Sequence, residues 1–77
     1  MRTAFSMTAD RKGMRVRYEL MEEGERYGLR VSCGAETAEI PDLTTDRKAL
    51  LELLDAMRRG FVTPATARDI AEDWLLR

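Results

Sequence analysis

The spacing of apolar residues changes once along this chain, near Pro41, and that switch constrains the fold more than any other feature. Before it, apolar side chains recur at every second position. From Met14 to Leu20, Met14, Val16, Tyr18 and Leu20 alternate with Arg15, Arg17 and Glu19. From Arg26 to Cys33, Tyr27, Leu29, Val31 and Cys33 lie on one face, with Arg26, Gly28, Arg30 and Ser32 on the other. A two-residue loop at Glu23-Gly24 would pair Glu22 with Glu25. Leu20 would then face Tyr27, Tyr18 would face Leu29, Val16 would face Val31, and Met14 would face Cys33, apolar against apolar throughout. Gly34-Ala35, with Gly first, suits a type II′ turn and pairs Val31 with Ala38, Leu29 with Ile40 and, on the outer face, Arg30 with Glu39. Upstream, a loop over Asp10 to Gly13 pairs Met7 with Val16 and Phe5 with Tyr18. The pattern predicts a four-stranded antiparallel meander, at least three-stranded, in which Thr3 to Ala9 is the strand with the weakest pattern.

After Pro41 the period becomes helical. Thr45 is the expected N-cap of a first helix, with Asp46 at the positive end of its dipole. Ala49, Leu50, Leu53, Leu54 and Met57 form its stripe, Arg58 and Arg59 suit its last turn, and Gly60 suits the C′ position. Thr63-Pro64 predicts a second start, a capping hydroxyl before a proline that needs no N–H. Along that helix Ala67, Ile70, Ala71, Trp74 and Leu75 share one face, and Thr66, Asp69, Glu72 and Asp73 the opposite one. The expected class is α+β: the meander over 3–40, helices over 45–59 and 64–76, both covering one face of the sheet, in one small domain over 1–77.

Composition narrows function mainly by exclusion. At 77 residues, 44% hydrophobic and 35% charged, the chain is too apolar for a disordered tail, yet small enough that its core is marginal. Thirteen Lys and Arg against 14 Asp and Glu leave a net charge of −1, which gives no general attraction to nucleic acid or membranes. No leader pattern and no bilayer-length apolar run is evident, so a cytoplasmic location is expected. The absence of histidine removes the commonest general base and metal ligand. Cys33 lies in the apolar register of its strand and reads as a packed, inert thiol. Glycine spacing fits no phosphate-cradling motif. Neither a cofactor nor a metal site nor a catalytic residue is expected.

Three groups of residues remain as candidate interaction sites. Arg15, Arg17 and Arg30 share the outer sheet face, with Arg11 and Lys12 in the adjoining loop. In the register above Arg17 lies opposite Arg30, an arrangement that invites an anion. No aromatic accompanies them, because Tyr18 and Tyr27 point inward, and RNA-binding sheets usually carry aromatics on that face. Asp69, Glu72 and Asp73 lie within one turn of the second helix and could hold a hard cation or act as an acid/base pair; a solvated acidic face, with Asp73 relieved by Arg77, is the plainer reading. Leu51, at the edge of its helix stripe beside Arg58, and Leu76, which projects into the acidic face of the last helix, are candidates for self-association, single tolerated surface residues being the plainer reading. The order helix, Gly60, Thr63-Pro64, helix, with Thr66 and Arg68 early in the second, loosely matches a helix-turn-helix, although the carboxylates of that helix oppose a phosphate backbone.

From Tyr18 to Leu75 the chain resembles a family of short, uncharacterised bacterial proteins classed as a domain of unknown function. The resemblance rests on Tyr27-Gly28-Leu29, on Ile40-Pro41-Asp42-Leu43-Thr44-Thr45-Asp46, and on Thr63-Pro64 followed by Asp69-Ile70-Ala71-Glu72-Asp73-Trp74-Leu75. Relatives carry a His-Leu-Tyr run where this chain has Thr66-Ala67-Arg68, so any role of that histidine is missing here. The resemblance implies a bacterial origin and a non-catalytic role, and lends no activity, cofactor or substrate.

The expected function is a non-catalytic protein-interaction module, monomeric or homodimeric. It would be a small bacterial or mobile-element regulator or inhibitor of a larger protein machine, an anti-CRISPR-type inhibitor being one example. Two alternatives stay open. One is a nucleic-acid-binding regulator using Arg15, Arg17 and Arg30 or the helix pair. The other is a self-associating module using Leu51, Leu76 and the sheet edges.

Overall fold

The computed structural model describes residues 2–76. Strands β1 (Arg2–Arg11), β2 (Met14–Glu23), β3 (Arg26–Cys33) and β4 (Glu36–Thr44) form one open antiparallel sheet in the order β1-β2-β3-β4. Helices α1 (Arg47–Arg59) and α2 (Pro64–Leu75) follow. α1 lies over β1, β2 and β3, and α2 over β3 and β4. The α+β meander with two helices on one face is therefore present with all four strands.

Two of the three strand registers differ from those expected. β2 and β3 pair Leu20 with Leu29, Tyr18 with Val31 and Glu23 with Arg26, so the loop is Gly24-Glu25 rather than Glu23-Gly24. Gly24, at φ +62, takes the first loop position, where a positive φ costs glycine little and would strain Glu23. β1 and β2 pair Met7 with Tyr18, Phe5 with Leu20 and Ala9 with Val16; their loop shrinks to Lys12-Gly13, and Arg11 belongs to the strand. Each shift is by two residues, which preserves the faces and changes only the partners. The β3–β4 register, with Leu29 opposite Ile40 and Val31 opposite Ala38, is as expected.

Pro41 does not end β4, which runs on to Thr44. Between the pairs Leu29–Ile40 and Tyr27–Thr44, β3 supplies Gly28 alone while β4 supplies Pro41, Asp42 and Leu43. An edge strand accommodates this bulge because Pro41 has no N–H to pair. Asp42 takes a left-handed conformation, φ +59, that aspartate tolerates better than most residues. Its carboxylate and its carbonyl both accept from the Arg26 guanidinium. The bulged backbone passes so close to β3 that a Cβ on Gly28 would lie 2.5 Å from the Ile40 carbonyl oxygen and 2.6 Å from the Pro41 Cα. Glycine is a steric requirement here.

The core is continuous from sheet to helices. Val16, Tyr18, Leu20, Leu29 and Val31 are buried beneath Leu50, Leu53, Leu54 and Met57 of α1. α2 contributes the small residues Pro64, Ala67 and Ala71. Ile70 and Leu75, expected on the buried face of α2, are exposed, and Trp74 is half-buried. Small residues let α2 approach the sheet closely and leave its larger side chains at the margin of the contact.

The caps also differ in detail. Asp46, not Thr45, caps α1: its carboxylate accepts from the Ala49 N–H at 3.1 Å, while the Thr44 hydroxyl accepts from the Asp46 N–H at 3.0 Å. Gly60 is the C-cap, and the left-handed C′ residue is Phe61, φ +51. The Phe61 N–H donates to Arg58 O and the Val62 N–H to Met57 O, the paired bonds of a Schellman motif. An aromatic residue is uncommon in this conformation. Phe61 is held by packing against the core and by the Arg11 guanidinium, 4.9 Å from its ring centroid. Thr63 occupies the N-cap of α2 without a side-chain capping bond; its carbonyl accepts from the Thr66 and Ala67 N–H groups. The fully buried Tyr18 donates its hydroxyl to Val62 O at 2.7 Å, tying the α1–α2 connection to the centre of β2, and its burial raises the phenol pKa.

Gly28→Ala is expected to lower the unfolding free energy by about 3 kcal/mol, because backbone must move to admit the methyl group. Gly34→Ala, where the added Cβ meets open space and only the positive φ is penalised, should cost about 1 kcal/mol. Urea titrations of the two variants test this order directly.

Candidate interaction surfaces

On the outer sheet face the registers bring together one polar residue from each strand. Glu19 of β2 lies opposite Arg30 of β3, which lies opposite Glu39 of β4. The Arg30 guanidinium donates to both Glu19 carboxylate oxygens, at 2.9 and 3.2 Å, and to Glu39 at 3.1 Å. The Thr3 hydroxyl of β1 donates to Glu19 at 2.9 Å. These neighbours close over Glu19 until it is only 6% exposed, although no further layer covers this face. The hydrogen bonds from Arg30 hold the Glu19 carboxyl below the usual glutamate range; burial opposes them and the Thr3 hydroxyl adds to them. The same bonds raise the pKa of Arg30.

The expected juxtaposition of Arg17 and Arg30 is therefore corrected. Arg17 faces Ser32 and Thr8, and Arg30 is held between two carboxylates. Arg15 faces Asp10 and donates to it at 2.9 Å, which raises the arginine pKa. Among the described residues Arg17 makes no salt bridge, and with Arg15, Ser32 and Gly34 it lines a shallow depression of about 350 Å³. The basic face foreseen from sequence thus narrows to this one corner. Near the opposite corner, Met21, Gly28, Pro41 and Asp42 help to line a second depression of about 270 Å³, a consequence of the β4 bulge that alternation alone does not reveal.

The other candidate surface is α2. Asp69, Glu72 and Asp73 are all exposed. They do not converge as a ligand set: among the described residues no group of three or more such side chains could hold a metal ion. Arg77, expected to relieve Asp73, lies outside the described residues. Arg68, early in α2, donates to Glu39 O at 3.0 Å and so ties the helix to the β4 backbone. Leu76 is 86% exposed, Leu75 50% and Ile70 37%, whereas Leu51 is half-buried and packed on the core. Trp74 forms a ridge between two apolar depressions. One, about 320 Å³, lies between the helices and is lined by Leu53, Ala56 and Ile70, with Glu52 and Asp73 also lining it. The other, about 400 Å³, is lined by Leu43, Thr44 and Leu75.

A family model described as a family of unknown function (DUF6514) matches residues 3–77. The chain belongs to this family. The match extends beyond the resemblance read from sequence to take in β1. No curated protein and no solved structure matches the DUF6514 chain. Within the described residues no helix is long and apolar enough to cross a membrane.

Glu19 titrates lower in the folded than in the unfolded state, so its stabilising contribution is complete above its ordinary value of 4.5 and is lost as pH falls through the folded value. Glu19→Gln is expected to cost about 2 kcal/mol at pH 7 and to flatten the loss of stability below pH 4.5, measured by urea unfolding across a pH series.

Proposed function

We propose that this DUF6514 protein is a non-catalytic interaction module that docks another protein through α2 and the apolar depressions on either side of Trp74. The observation that carries this reading is the exposure of Ile70 and Leu75, one lining each of the two depressions that Trp74 separates. Two large exposed apolar side chains flanking a half-buried tryptophan on one short helix are more than the scattered exposure usual for a surface. A half-buried tryptophan beside shallow apolar depressions is the kind of anchor on which interfaces concentrate their binding energy. Asp69, Glu72, Asp73 and Glu52 are exposed around the patch, so the fitting partner is an amphipathic segment with an apolar stripe flanked by Lys or Arg. Regulation or inhibition of a larger bacterial or mobile-element machine, anti-CRISPR-type inhibition included, is the class of activity that such docking would serve.

The competing nucleic-acid reading has lost most of its electrostatic basis, since Arg30 and Arg15 are paired within the sheet. The two are separated by affinity capture from the native host, with and without nuclease. The expected result is a protein that survives nuclease and binds Arg15→Glu/Arg17→Glu as it binds the wild type, but binds Ile70→Lys/Leu75→Lys at least about tenfold more weakly. Capture abolished by nuclease and by Arg15→Glu/Arg17→Glu would transfer the function to nucleic acid.

A further inference from the structure

The two edges of the sheet are treated differently. β4 is blocked from Glu39 to Leu43: Pro41 lacks an N–H, the bulge at Pro41–Leu43 breaks its line, and Arg68 from α2 occupies the Glu39 carbonyl. β1 carries none of these devices beyond Ala4. Its one irregularity lies there, and from Phe5 to Arg11 it pairs with β2 without interruption, free of proline and lysine. The opposite edge of that stretch has no partner among the described residues. Phe5, on the helix side of the sheet, is 41% exposed there, and Met7 and Ala9 on the same side are only half-buried.

We infer that β1 pairs antiparallel with β1 of a second copy, about a two-fold axis at Met7, to make one continuous eight-stranded sheet. The occupant follows from the sequence of the edge. A two-fold at Met7 sets Phe5 against Ala9 of the other copy and Met7 against its counterpart, so each of the three helix-side apolar residues meets another of the three. On the outer side it sets Ser6 against Thr8, both exposed. Moving the axis to Ser6 would bring Ala9 against Thr3, and moving it to Thr8 would bring Phe5 against Arg11. Of these registers only the central one sets each of Phe5, Met7 and Ala9 against another of the three, and within β1 it brings no like charges face to face. The two-fold also places both α1 helices on the same side of the joint sheet. Lying roughly over the β2 strands, they are about 14 Å apart, three strand spacings, which exceeds the ~10 Å at which helices collide. Phe5 and Met7 of both copies line the floor between them. This interface is remote from α2, which packs over β3 and β4, so it stands or falls separately from the docking function.

Sedimentation equilibrium up to millimolar concentration tests the inference with two charge variants. The wild type is expected to dimerise. Ser6→Lys/Thr8→Lys puts lysine opposite lysine twice and should weaken the dimer at least about tenfold. Ser6→Lys/Thr8→Glu puts lysine opposite glutamate in the Met7-centred register alone and should restore association to the wild-type level or better. Circular dichroism melts of both variants check that the fold is kept. A monomeric wild type overturns the inference and leaves the edge to a strand of a different protein. A dimer indifferent to Lys/Lys, or one not rescued by Lys/Glu in a folded chain, equally overturns it.

Discussion

The contact between Arg30 and Glu19 settles a choice that the hydrophobic core leaves open. Sliding β2 past β3 by two residues keeps the apolar side chains on the core face and, Tyr27 opposite Glu22 apart, against apolar neighbours, so burial distinguishes the two alignments only weakly. On the solvent side they differ sharply. One sets Arg17 against Arg30; the other sets Glu19 against Arg30 and Glu23 against Arg26. The β1–β2 pair repeats the pattern, since the adopted register brings Asp10 opposite Arg15. Register then determines the rest: where Tyr18 meets the Val62 carbonyl, and which strand ends reach the edges. With Glu19 buried, the pair adds more to stability than an exposed ion pair does. Here its larger effect is to discriminate between near-equivalent alignments.

The same reasoning explains what was legible in the sequence. Alternation and helical stripes identified four strands, two helices and the face each strand presents, because those follow from periods of two and 3.6 that no tertiary contact overrides. The third hairpin came out in register because Gly34 stands first in its loop. The register of the second hairpin is not legible from apolar matching, which barely separates alignments two residues apart. The corrective signals were already present: Gly24 is better placed first in a loop than second, and like charges on the outer face count against an alignment. The caps were missed by one residue each, at Asp46 and Phe61, for a similar local reason. Thr45 and Gly60 have suitable chemistry, and the choice between neighbours was made by how the chain leaves β4 and enters α2.

The candidate site was legible in part. Arg15, Arg17 and Arg30 do share the outer face, but their charge is largely spent within the sheet, a fact that depends on partners and not on period. Asp69, Glu72 and Asp73 lie on the exposed side of α2 as expected. The exposure of Ile70 and Leu75 was hidden, because a helical stripe marks which residues can be buried together and not how much of the stripe the sheet covers. Several residues on which the family resemblance rests prove to be architectural: Gly28 admits the β4 backbone, Asp42 closes the bulge with Arg26, and Thr44 and Asp46 start α1.

The way α2 is seated bears on its energetics. Its fully buried residues are a proline and two alanines, which remove little apolar surface from water compared with the leucines and methionine of α1. Small buried residues of this kind are expected to place the helix toward the low end of the molecule's range of local opening free energies. A helix so held has room to adjust its tilt, and in the proposed docking a partner covering Trp74 would complete its seat. Under the proposed docking, settling of α2 and engagement of the partner would be one coupled equilibrium rather than two separate steps.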